Sequence, residues 1–400
     1  MIAIIKKSIP SGTVSAPPSK SFAHRALILG AFSDKSKIKN LSFSKDVEAT
    51  LDCLKTLGAE TEKGDGFVNI GGLKPEKIGE KISLACGESG STLRFLIPVC
   101  LLTGRKIALC GTEKLLSRPL DEYERICKDN GFIFEKSKDS VTVCGKIKAG
   151  RYSLRSDASS QFVTGLLLAL SAIPGRSEIS LSGEIESRPY IDITLKTMRD
   201  FGIDVLWEDE KTIAICGGKP ENTEYTVEAD ASNAAYLEAF GLFGDVTVSG
   251  IKDDTVQGDI VYKKYFADLS GGKKEFDLKD CPDLAPVMFA ACSLFGGARF
   301  TGTRRLAFKE SDRVASMKEE LSKFGAVLCS GEDMVEVFAE KLHAPSEPLF
   351  GHNDHRVVMA LSLLCAKFGG SISGAEAVSK SFPDFFDKIS ELGIEVIKDA

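Results

Sequence analysis

Cationic and carboxylate side chains concentrate in four short segments of the second half of the sequence. In chain order the segments contain Asp283; Lys309, Glu310, Asp312 and Arg313; Asp354, His355 and Arg356; and Lys380. Taken singly, a charged segment such as KESDR is as typical of a solvated helix start as of a functional site. Taken together, the segments offer several cations for anionic oxygens and at least two carboxylates for proton transfer. This combination predicts a site where fixed positive charge replaces the water around mutually repelling anions.

The segment APPSKSFAHRALILGA in the first half combines small polar and basic residues at a predicted helix start. Lys20 lies between Ser19 and Ser21, and Arg25 follows Ser21 by four residues. On a helix that begins there, the Ser21 hydroxyl and the Arg25 guanidinium share one face. Such a face can bind a phosphate, and a serine-capped helix with exposed cations is the alternative interpretation.

A glycine-rich segment, CGESGSTLRFL, also has the composition of an anion site. Gly87 and Gly90 allow the backbone to approach a ligand closely, and Ser91, Thr92 and Arg94 offer donors. The segment has no lysine at the position that a nucleotide-binding P-loop requires. It therefore does not predict a nucleotide site of that kind.

Two arginines each precede a proline that begins a predicted helix, in SRPLDEY and ESRPYIDITL. These residues are Arg118 and Arg188. Arginine at a rigid corner suits bidentate recognition of carboxylate or phosphate, and solvated capping is the alternative. The segment SDASSQFVTG adds Ser159, Ser160 and Gln161, which are more polar side chains than helix capping requires.

A repeated pattern of elements must position these side chains. An amphipathic helix, a glycine, a strand, a polar turn and a second strand recur around Gly58, Gly131, Gly202, Gly325 and Gly393. Glycine tolerates the left-handed backbone that often ends a helix, and the alternation after it predicts half-buried strands. The long interval between Gly202 and Gly325 admits a degenerate copy near Gly271. Six copies predict an α/β protein with two domains of three units each.

Composition narrows the class of protein. A chain of 400 residues with 43% hydrophobic and 27% charged residues is expected to form two domains. The net charge of −6 argues against general affinity for nucleic acid or acidic membrane surfaces. No apolar run approaches the ~20 residues of a membrane-spanning helix, and the N-terminal segment becomes charged too early for a signal peptide. The 11 cysteines lack C-x-x-C spacing, which favours buried thiols in a reducing cytosol over disulfides or a zinc site.

The motifs occur together in one order: PSKS-x-x-x-R, G-x-S-G-[ST]-x-x-R, SSQ, SRPYID, PD, KESDR, DHR and K-[ST]-FP-[DN]-[FY]. Through them the sequence resembles the 5-enolpyruvylshikimate-3-phosphate synthase family from Lys20 to Lys380. The resemblance implies transfer of the enolpyruvyl group of phosphoenolpyruvate to the 5-hydroxyl of shikimate 3-phosphate, with release of phosphate. This is a step of aromatic amino acid biosynthesis that uses neither a metal nor an organic cofactor. We expect a cytoplasmic monomer that binds these small molecules.

The resemblance also implies an architecture. The family fold has two domains, each of three βαβαββ units in an inside-out α/β barrel, which close on the substrates. The chain crosses between the domains twice, implying one domain of residues 1–18 plus 228–400 and another of residues 19–227. Closure would exclude water from the reacting groups.

Site residues follow from the resemblance motif by motif. Shikimate 3-phosphate is expected to be surrounded by Ser21, Arg25, Ser159, Ser160, Gln161, Ser187, Tyr190, Asp283 and Lys309. Phosphoenolpyruvate is expected to be bound by Lys20, Gly90, Arg118, Gln161, Arg313, Arg356 and Lys380. Asp283 is the candidate base for the 5-hydroxyl, and Glu310 and Lys20 are candidates for proton delivery to the methylene carbon and the departing phosphate.

The sequence departs from the family pattern at two places, and two other functions stay open. Glu88 replaces the usual asparagine of the glycine-rich segment, and Arg305 stands where the family has another asparagine. The first alternative is the enolpyruvyl transferase that acts on UDP-N-acetylglucosamine, which lacks the PSKS and SSQ motifs. The second is a catalytically silent anion-binding repeat protein, against which the retained Asp283 and Glu310 argue.

Overall fold

The computed structural model describes residues 1–74, 81–155 and 159–399, so the first three residues of the SDASSQ segment lie outside it. The chain divides into two compact units, Met1–Pro17 with Ala229–Ala400, and Pro18–Glu228. Strands β1 (Ile2–Ile5) and β2 (Ser11–Ser15) begin the first unit before the chain enters the second.

The unit Pro18–Glu228 contains sheets with a common strand order. Its elements are α1 (Lys20–Phe32), β3 (Ser36–Lys39), α2 (Lys45–Thr56), β4 (Glu60–Gly64), β5 (Phe67–Gly71), β6 (Lys81–Ala85), α3 (Gly90–Cys100), β7 (Lys106–Cys110), α4 (Glu113–Ser117), α5 (Asp121–Asp129), β8 (Ile133–Lys136), β9 (Ser140–Cys144), β10 (Arg151–Arg155), α6 (Ser160–Ser171), β11 (Gly175–Ser182), α7 (Arg188–Asp200), β12 (Asp204–Trp207), β13 (Thr212–Gly217) and β14 (Glu224–Thr226). The sheets have the orders β14-β3-β5-β4, β6-β7-β9-β8 and β10-β11-β13-β12. In each sheet the first pair is parallel and the other two pairs are antiparallel. This is the pairing of a βαβαββ unit.

The other unit repeats the pattern with two modifications. It continues with α8 (Ala231–Glu238), β15 (Asp245–Ser249), α9 (Tyr262–Ser270), β16 (Glu275–Asp277), α10 (Ala285–Ser293), β17 (Gly297–Thr301), α11 (Arg313–Ser322), β18 (Val327–Ser330), β19 (Met334–Phe338), β20 (Leu349–Phe350), α12 (His355–Phe368), β21 (Gly370–Ser373), α13 (Phe385–Glu391) and β22 (Val396–Asp399). The sheet β16-β17-β19-β18 is continuous in sequence, whereas β20-β21-β1-β22 pairs the first strand of the chain with the last. The parallel pair β15-β2 forms a two-stranded sheet.

The glycines that mark the repeat adopt the predicted left-handed backbone. Their φ angles are 95° at Gly58, 69° at Gly131, 76° at Gly202, 87° at Gly325 and 78° at Gly393. The degenerate copy follows α9, where Gly271 is still right-handed and the next residue, Gly272, has a φ of 91°. The antiparallel hairpin is missing from this copy, because β16 follows directly and pairs with β17 instead.

Helices that are buried along nearly their whole length form the centre of each unit. In the unit that contains both chain ends, α10 and α12 pack together and every residue of α10 is buried. In Pro18–Glu228, α3 packs on α6 and α6 packs on α7. The polar segments singled out in the sequence begin these helices. Among the described residues, no helix has both the length and the hydropathy needed to cross a membrane.

Candidate active site

Three cations surround the carboxylate of Asp283. Its Oδ1 accepts hydrogen bonds from Arg313 Nη1 at 2.9 Å and from Lys309 Nζ at 3.4 Å, and its Oδ2 accepts from Arg356 Nη2 at 3.2 Å. Asp283 lies in the 3₁₀ helix Pro282–Leu284 before α10, while Arg313 and Arg356 lie in the first turns of α11 and α12. The starts of three helices, α10 and α11 from one repeat unit and α12 from the next, therefore supply the carboxylate and the two arginines of the cluster.

The charges of this cluster change the acidity of its members. Burial alone would raise the pKa of Asp283, but the charges of Lys309, Arg356 and Arg313 together outweigh it and hold the pKa well below its ordinary value. Burial lowers the pKa of Lys309 to about 8, even though Asp283 opposes the shift. Asp283 is therefore ionised at neutral pH, and the charge of Lys309 is lost under mildly alkaline conditions.

Arg313 links Asp283 to two further carboxylates. The Arg313 side chain is 2% exposed, its Nε donates to Asp354 Oδ2 at 3.0 Å, and its Nη2 donates to Glu310 Oε2 at 3.4 Å. Asp354 also caps α12 by accepting from the backbone nitrogen of Arg356 at 2.9 Å. His355 Nδ1 lies 2.9 Å from Glu310 Oε2. Glu310 and Asp283 thus lie beside the same guanidinium.

Lys380 reaches the same region through the backbone. Its side chain is buried at the end of the 3₁₀ helix Ala375–Lys380, and its Nζ donates to the carbonyl of Asn353 at 2.5 Å. Asn353 directly precedes Asp354. The predicted residues Asp283, Lys309, Glu310, Arg313 and Arg356 therefore form one cluster in this unit, with Lys380 bonded to the turn beside it.

Two groups of side chains among the described residues could offer ligand atoms to a metal ion: Glu310, Asp354 and His355, and Glu319, Glu320 and His352. In the first group, Arg313 already donates to both carboxylates. In the second, Lys323 Nζ lies 3.0 Å from both carboxylate oxygens of Glu320. A metal ion would have to displace these cations, so both groups fit internal ion pairs better than a metal site.

A second cationic arrangement lies at the start of α3 in Pro18–Glu228. Gly90 is the first residue of this helix, and a β-carbon there would come within 2.7 Å of Arg118 Nη1 and 3.8 Å of Gln161 Oε1. The Arg118 guanidinium thus lies against the helix N-terminus, where backbone amides and the helix dipole favour an anion. A β-carbon at position 90 would displace that guanidinium from the helix start.

Arg94, which the sequence offered only as a donor, holds this arrangement together. Its Nη1 donates to Gln161 Oε1 at 2.7 Å, and its Nη2 donates to the carbonyl of Pro119, the residue after Arg118, at 3.0 Å. Gln161 Nε2 donates to Ser91 Oγ at 3.1 Å. Arg94 therefore joins the start of α6 to the corner that carries Arg118. Its role could not be read from the motif alone, because both partners come from other segments.

Lys20 begins α1 and forms an ion pair that the sequence did not indicate. Its Nζ donates to Asp46 Oδ2 on α2 at 2.8 Å, and the Asp46 side chain is 8% exposed. Next to it, the buried His24 has its Nδ1 2.7 Å from Thr50 Oγ1. Burial, Lys20 and Arg25 lower the pKa of His24 well below its ordinary value, so His24 is neutral. The ion pair with Asp46 therefore orients the Lys20 side chain.

Arg25 is engaged mainly by the protein itself. Its guanidinium donates to the hydroxyls of Thr194 at 2.7 Å and Thr164 at 3.2 Å, and to the carbonyls of Ser21 at 2.5 Å and Tyr190 at 2.9 Å. The predicted pairing with Ser21 is therefore made through its backbone oxygen. These bonds tie α1 to α6 and α7, and a direct role in substrate binding stays a prediction.

The serines predicted to bind a phosphorylated substrate lie at helix starts. Ser159 Oγ accepts from the backbone nitrogen of Gln161 at 3.4 Å at the start of α6, which Ser160 begins. Ser187 precedes α7 and has the left-handed φ of 57°, a conformation that costs a residue with a β-carbon about 1 to 2 kcal/mol. Such strain at a buried polar residue is typical of ligand sites.

The cysteine side chains agree with the sequence prediction of buried thiols. Every cysteine is free, and Cys53, Cys86, Cys100, Cys127, Cys281, Cys292 and Cys365 are buried. Burial raises the pKa of Cys100, Cys292 and Cys365. Only Cys216 and Cys329 are exposed.

The repeated βαβαββ units define a mixed α/β protein, and its two cationic clusters have the charge that a site for small anions requires. The family model described as EPSP synthase (3-phosphoshikimate 1-carboxyvinyltransferase) matches residues 6–389. A relative from Clostridium kluyveri named 3-phosphoshikimate 1-carboxyvinyltransferase is 36% identical over 414 residues, which cover 96% of each chain. The chain belongs to the EPSP synthase family.

Solved structures match the fold along the whole chain. The structure of EPSP synthase from Acinetobacter baumannii has a TM-score of 0.80 at 22% identity and covers 100% of both chains. The enolpyruvyl transferase NikO from Streptomyces tendae has a TM-score of 0.76 at 14% identity, with 99% of this chain and 98% of that chain covered. The predicted fold class of repeated βαβαββ units is confirmed.

Proposed function

We propose that the protein transfers the enolpyruvyl group of phosphoenolpyruvate to the 5-hydroxyl of shikimate 3-phosphate and releases phosphate. The family match and the name shared with the Clostridium kluyveri relative support this reaction. The observation that carries it is the contact of one carboxylate, Asp283, with Lys309, Arg313 and Arg356. The cluster combines cations for an anionic donor with a candidate base for the acceptor hydroxyl.

Donor binding changes the state of Asp283. Without substrate, Arg313 and Arg356 are paired with this carboxylate. Phosphoenolpyruvate offers its own anionic oxygens to the two guanidinium groups, which weakens their contact with Asp283 and raises its pKa. The carboxylate then becomes a stronger base for the 5-hydroxyl of shikimate 3-phosphate.

Proton delivery is assigned to Glu310 and Lys20. A proton added to the methylene carbon converts it to a methyl group and makes the central carbon electrophilic. The 5-hydroxyl oxygen attacks that carbon as its proton passes to Asp283, which gives a tetrahedral intermediate. Loss of phosphate, with return of one methyl proton to the group that supplied it, then restores the double bond. Glu310 is oriented by Arg313 and His355, and Lys20 is oriented by Asp46.

The remaining predicted residues divide between the two substrates. Lys20, Gly90, Arg118, Gln161, Arg313, Arg356 and Lys380 bind phosphoenolpyruvate, and Ser21, Arg25, Ser159, Ser160, Gln161, Ser187, Tyr190, Asp283 and Lys309 bind shikimate 3-phosphate. The guanidinium of Arg118 at the start of α3 supports the first assignment. The serines at the starts of α6 and α7 support the second.

Domain organisation, assembly and location belong to the same proposal. We assign one domain to residues 1–18 plus 228–400 and the other to residues 19–227, and the compact units that meet at Pro17–Pro18 and Glu228–Ala229 support this division. We propose a monomer in the cytoplasm. The predicted closure of the two domains on the substrates stays a prediction, which small-angle scattering with and without both ligands would test.

The direct test is phosphate release from the purified protein supplied with both substrates and with each omitted in turn. The proposal expects release only when shikimate 3-phosphate and phosphoenolpyruvate are both present. Release with UDP-N-acetylglucosamine in place of shikimate 3-phosphate would support the first alternative. Binding of both compounds without any release would identify a silent anion-binding protein and contradict the proposal.

A further inference from the structure

A buried carboxylate outside the predicted site lies on the same helix as Arg313. Glu320 is 0% exposed, and it follows Arg313 by seven residues, which is about two turns of α11. Its oxygens accept from Lys323 Nζ at 3.0 Å and from the backbone nitrogen of Phe350 at 3.0 Å, and its Oε1 lies 2.9 Å from His352 Nε2. A buried carboxylate with this many partners ties together the segments that supply them.

The partner segment is a turn with unusual backbone. His352 and Asn353 have φ angles of 49° and 51°, in the left-handed region that residues with a β-carbon disfavour. Two consecutive residues of this kind persist only where the surrounding structure holds them. Glu320 bonds the turn on its N-terminal side, at Phe350 and His352.

The C-terminal side of the turn carries the cations of the candidate active site. The carbonyl of Asn353 accepts from Lys380 Nζ at 2.5 Å. Asp354 accepts from Arg313 Nε at 3.0 Å and from the backbone nitrogen of Arg356 at 2.9 Å. Lys380 and Arg313 are therefore bonded to Asn353 and Asp354 through their cationic groups, and Arg356 is bonded to Asp354 through its backbone nitrogen.

We infer that Glu320 is a positioning residue for donor binding: it holds residues 350–353 in the left-handed turn that sets Arg313, Arg356 and Lys380. The inference rests on the proposed function and extends it to a residue that touches neither substrate. Glu320 acts through the turn, because its bonds go to Lys323, Phe350 and His352 and not to the cations of the cluster.

The first experiment compares Glu320→Gln with Glu319→Gln in steady-state phosphate release. Glutamine keeps the size of the side chain, but it has no negative charge. Its amide N–H groups would also face one of the groups that now donate a hydrogen bond to Glu320. We expect the KM for phosphoenolpyruvate to rise about tenfold while the KM for shikimate 3-phosphate changes less than about twofold. Glu319 is the matched control because it is 61% exposed and 3.9 Å from His352.

The second experiment adds His352→Gly. Glycine adopts a positive φ without a steric penalty, so the turn needs less support from Glu320. We expect Glu320→Gln to raise the KM for phosphoenolpyruvate less than about threefold in this background. An unchanged tenfold effect would overturn the inference that Glu320 stabilises the left-handed turn.

Hydrogen exchange of the peptide covering residues 350–354 separates this inference from the proposed function. Faster exchange in Glu320→Gln than in Glu319→Gln would support the inference that Glu320 holds the turn. This support would remain even if the unaltered protein released no phosphate, because absence of release would contradict only the proposed function. Equal exchange in the two variants would overturn the inference. In an active protein, an unchanged KM for phosphoenolpyruvate, or an equal rise of both KM values, would also overturn it.

Discussion

Arg313 Nη1 donates to Asp283 Oδ1 at 2.9 Å, so a cation proposed to bind the donor substrate is bonded to the proposed catalytic base. The two residues lie at the starts of the two helices of one repeat unit, α10 and α11, and the Arg313 side chain is 2% exposed. Binding of an anionic donor competes with this bond. The substrate-free protein therefore keeps Asp283 in its ionised and least basic state until the donor arrives.

Replacing Asp283 with asparagine tests its role as the base. We expect kcat to fall by at least about a hundredfold, because the amide cannot accept the proton of the 5-hydroxyl. Affinity for phosphoenolpyruvate should be retained or improved, because the three cations lose a competing carboxylate. Calorimetric titration and phosphate release would measure the two effects, with the exposed Asp254→Asn as the control. Near-normal kcat in Asp283→Asn would contradict the assignment.

The same variant should change the dependence of stability on acid. The pKa of Asp283 is held well below its ordinary value in the folded protein, so its contribution to stability is present above about pH 4 and is lost as the pH falls towards the folded pKa. The unaltered protein should therefore lose free energy of unfolding more steeply below about pH 4 than Asp283→Asn does. Urea unfolding at a series of pH values would measure both slopes, and parallel slopes would exclude the expected contribution.

The lowered pKa of Lys309 predicts that the protein binds the acceptor substrate, shikimate 3-phosphate, more weakly at alkaline pH. Because burial lowers its pKa to about 8, its charge in the substrate-free protein is lost as the pH rises through that value. The KM for shikimate 3-phosphate should rise above about pH 8, because a neutral amine binds anionic oxygen weakly. Lys309→Arg, which stays charged, should flatten this rise over the same range. An identical pH dependence in both proteins would assign the limit to another group.

Gly90→Ala tests the anion site at the start of α3. The new methyl group would come 2.7 Å from Arg118 Nη1 and displace that guanidinium. We expect the KM for phosphoenolpyruvate to rise about tenfold or more, with little change in the KM for shikimate 3-phosphate. Gly218→Ala is the control, because a β-carbon there meets nothing within 4 Å. Equal kinetics for the two variants would remove Arg118 from donor binding.

Arg94→Lys should destabilise the protein. Lysine cannot reach Gln161 Oε1 and the Pro119 carbonyl at the same time, as the arginine does at 2.7 and 3.0 Å. We expect a loss of about 2 kcal/mol in the free energy of unfolding, from one buried acceptor left without its donor. The exposed Arg105→Lys should lie within about 0.5 kcal/mol of the unaltered protein. Denaturant titration followed by circular dichroism would measure both.

The repeat could be predicted from the sequence because it depends on local chemistry. Each marker glycine follows a helix and takes a positive φ, as at Gly58 and Gly393. The missing hairpin after α9 could not be predicted, because whether β16 joins the previous or the next sheet depends on long-range pairing.

The sequence also predicted part of the candidate active site, as it predicted part of the fold. Motifs indicated the cations and two of their acidic partners, Glu310 and Asp354, but not every acidic residue that orients the site. Asp46 pairs with Lys20 from another helix, and Glu320 acts on a turn 30 residues away along the chain. Neither lies in a motif with an evident chemical signature, so only the folded arrangement reveals these partners.

The pairing of β1 with β22 in one sheet has a consequence for how the protein is made. Every strand of the Pro18–Glu228 unit is synthesised before residues 229–400, so this unit can fold during translation. Its neighbour must keep Ile2–Ile5 without a partner strand until Gly370–Ser373 has been synthesised, and the second partner, Val396–Asp399, follows later still. The Pro18–Glu228 unit can therefore complete its fold before the unit into which it is inserted, because the insertion separates β1 from its partner strands.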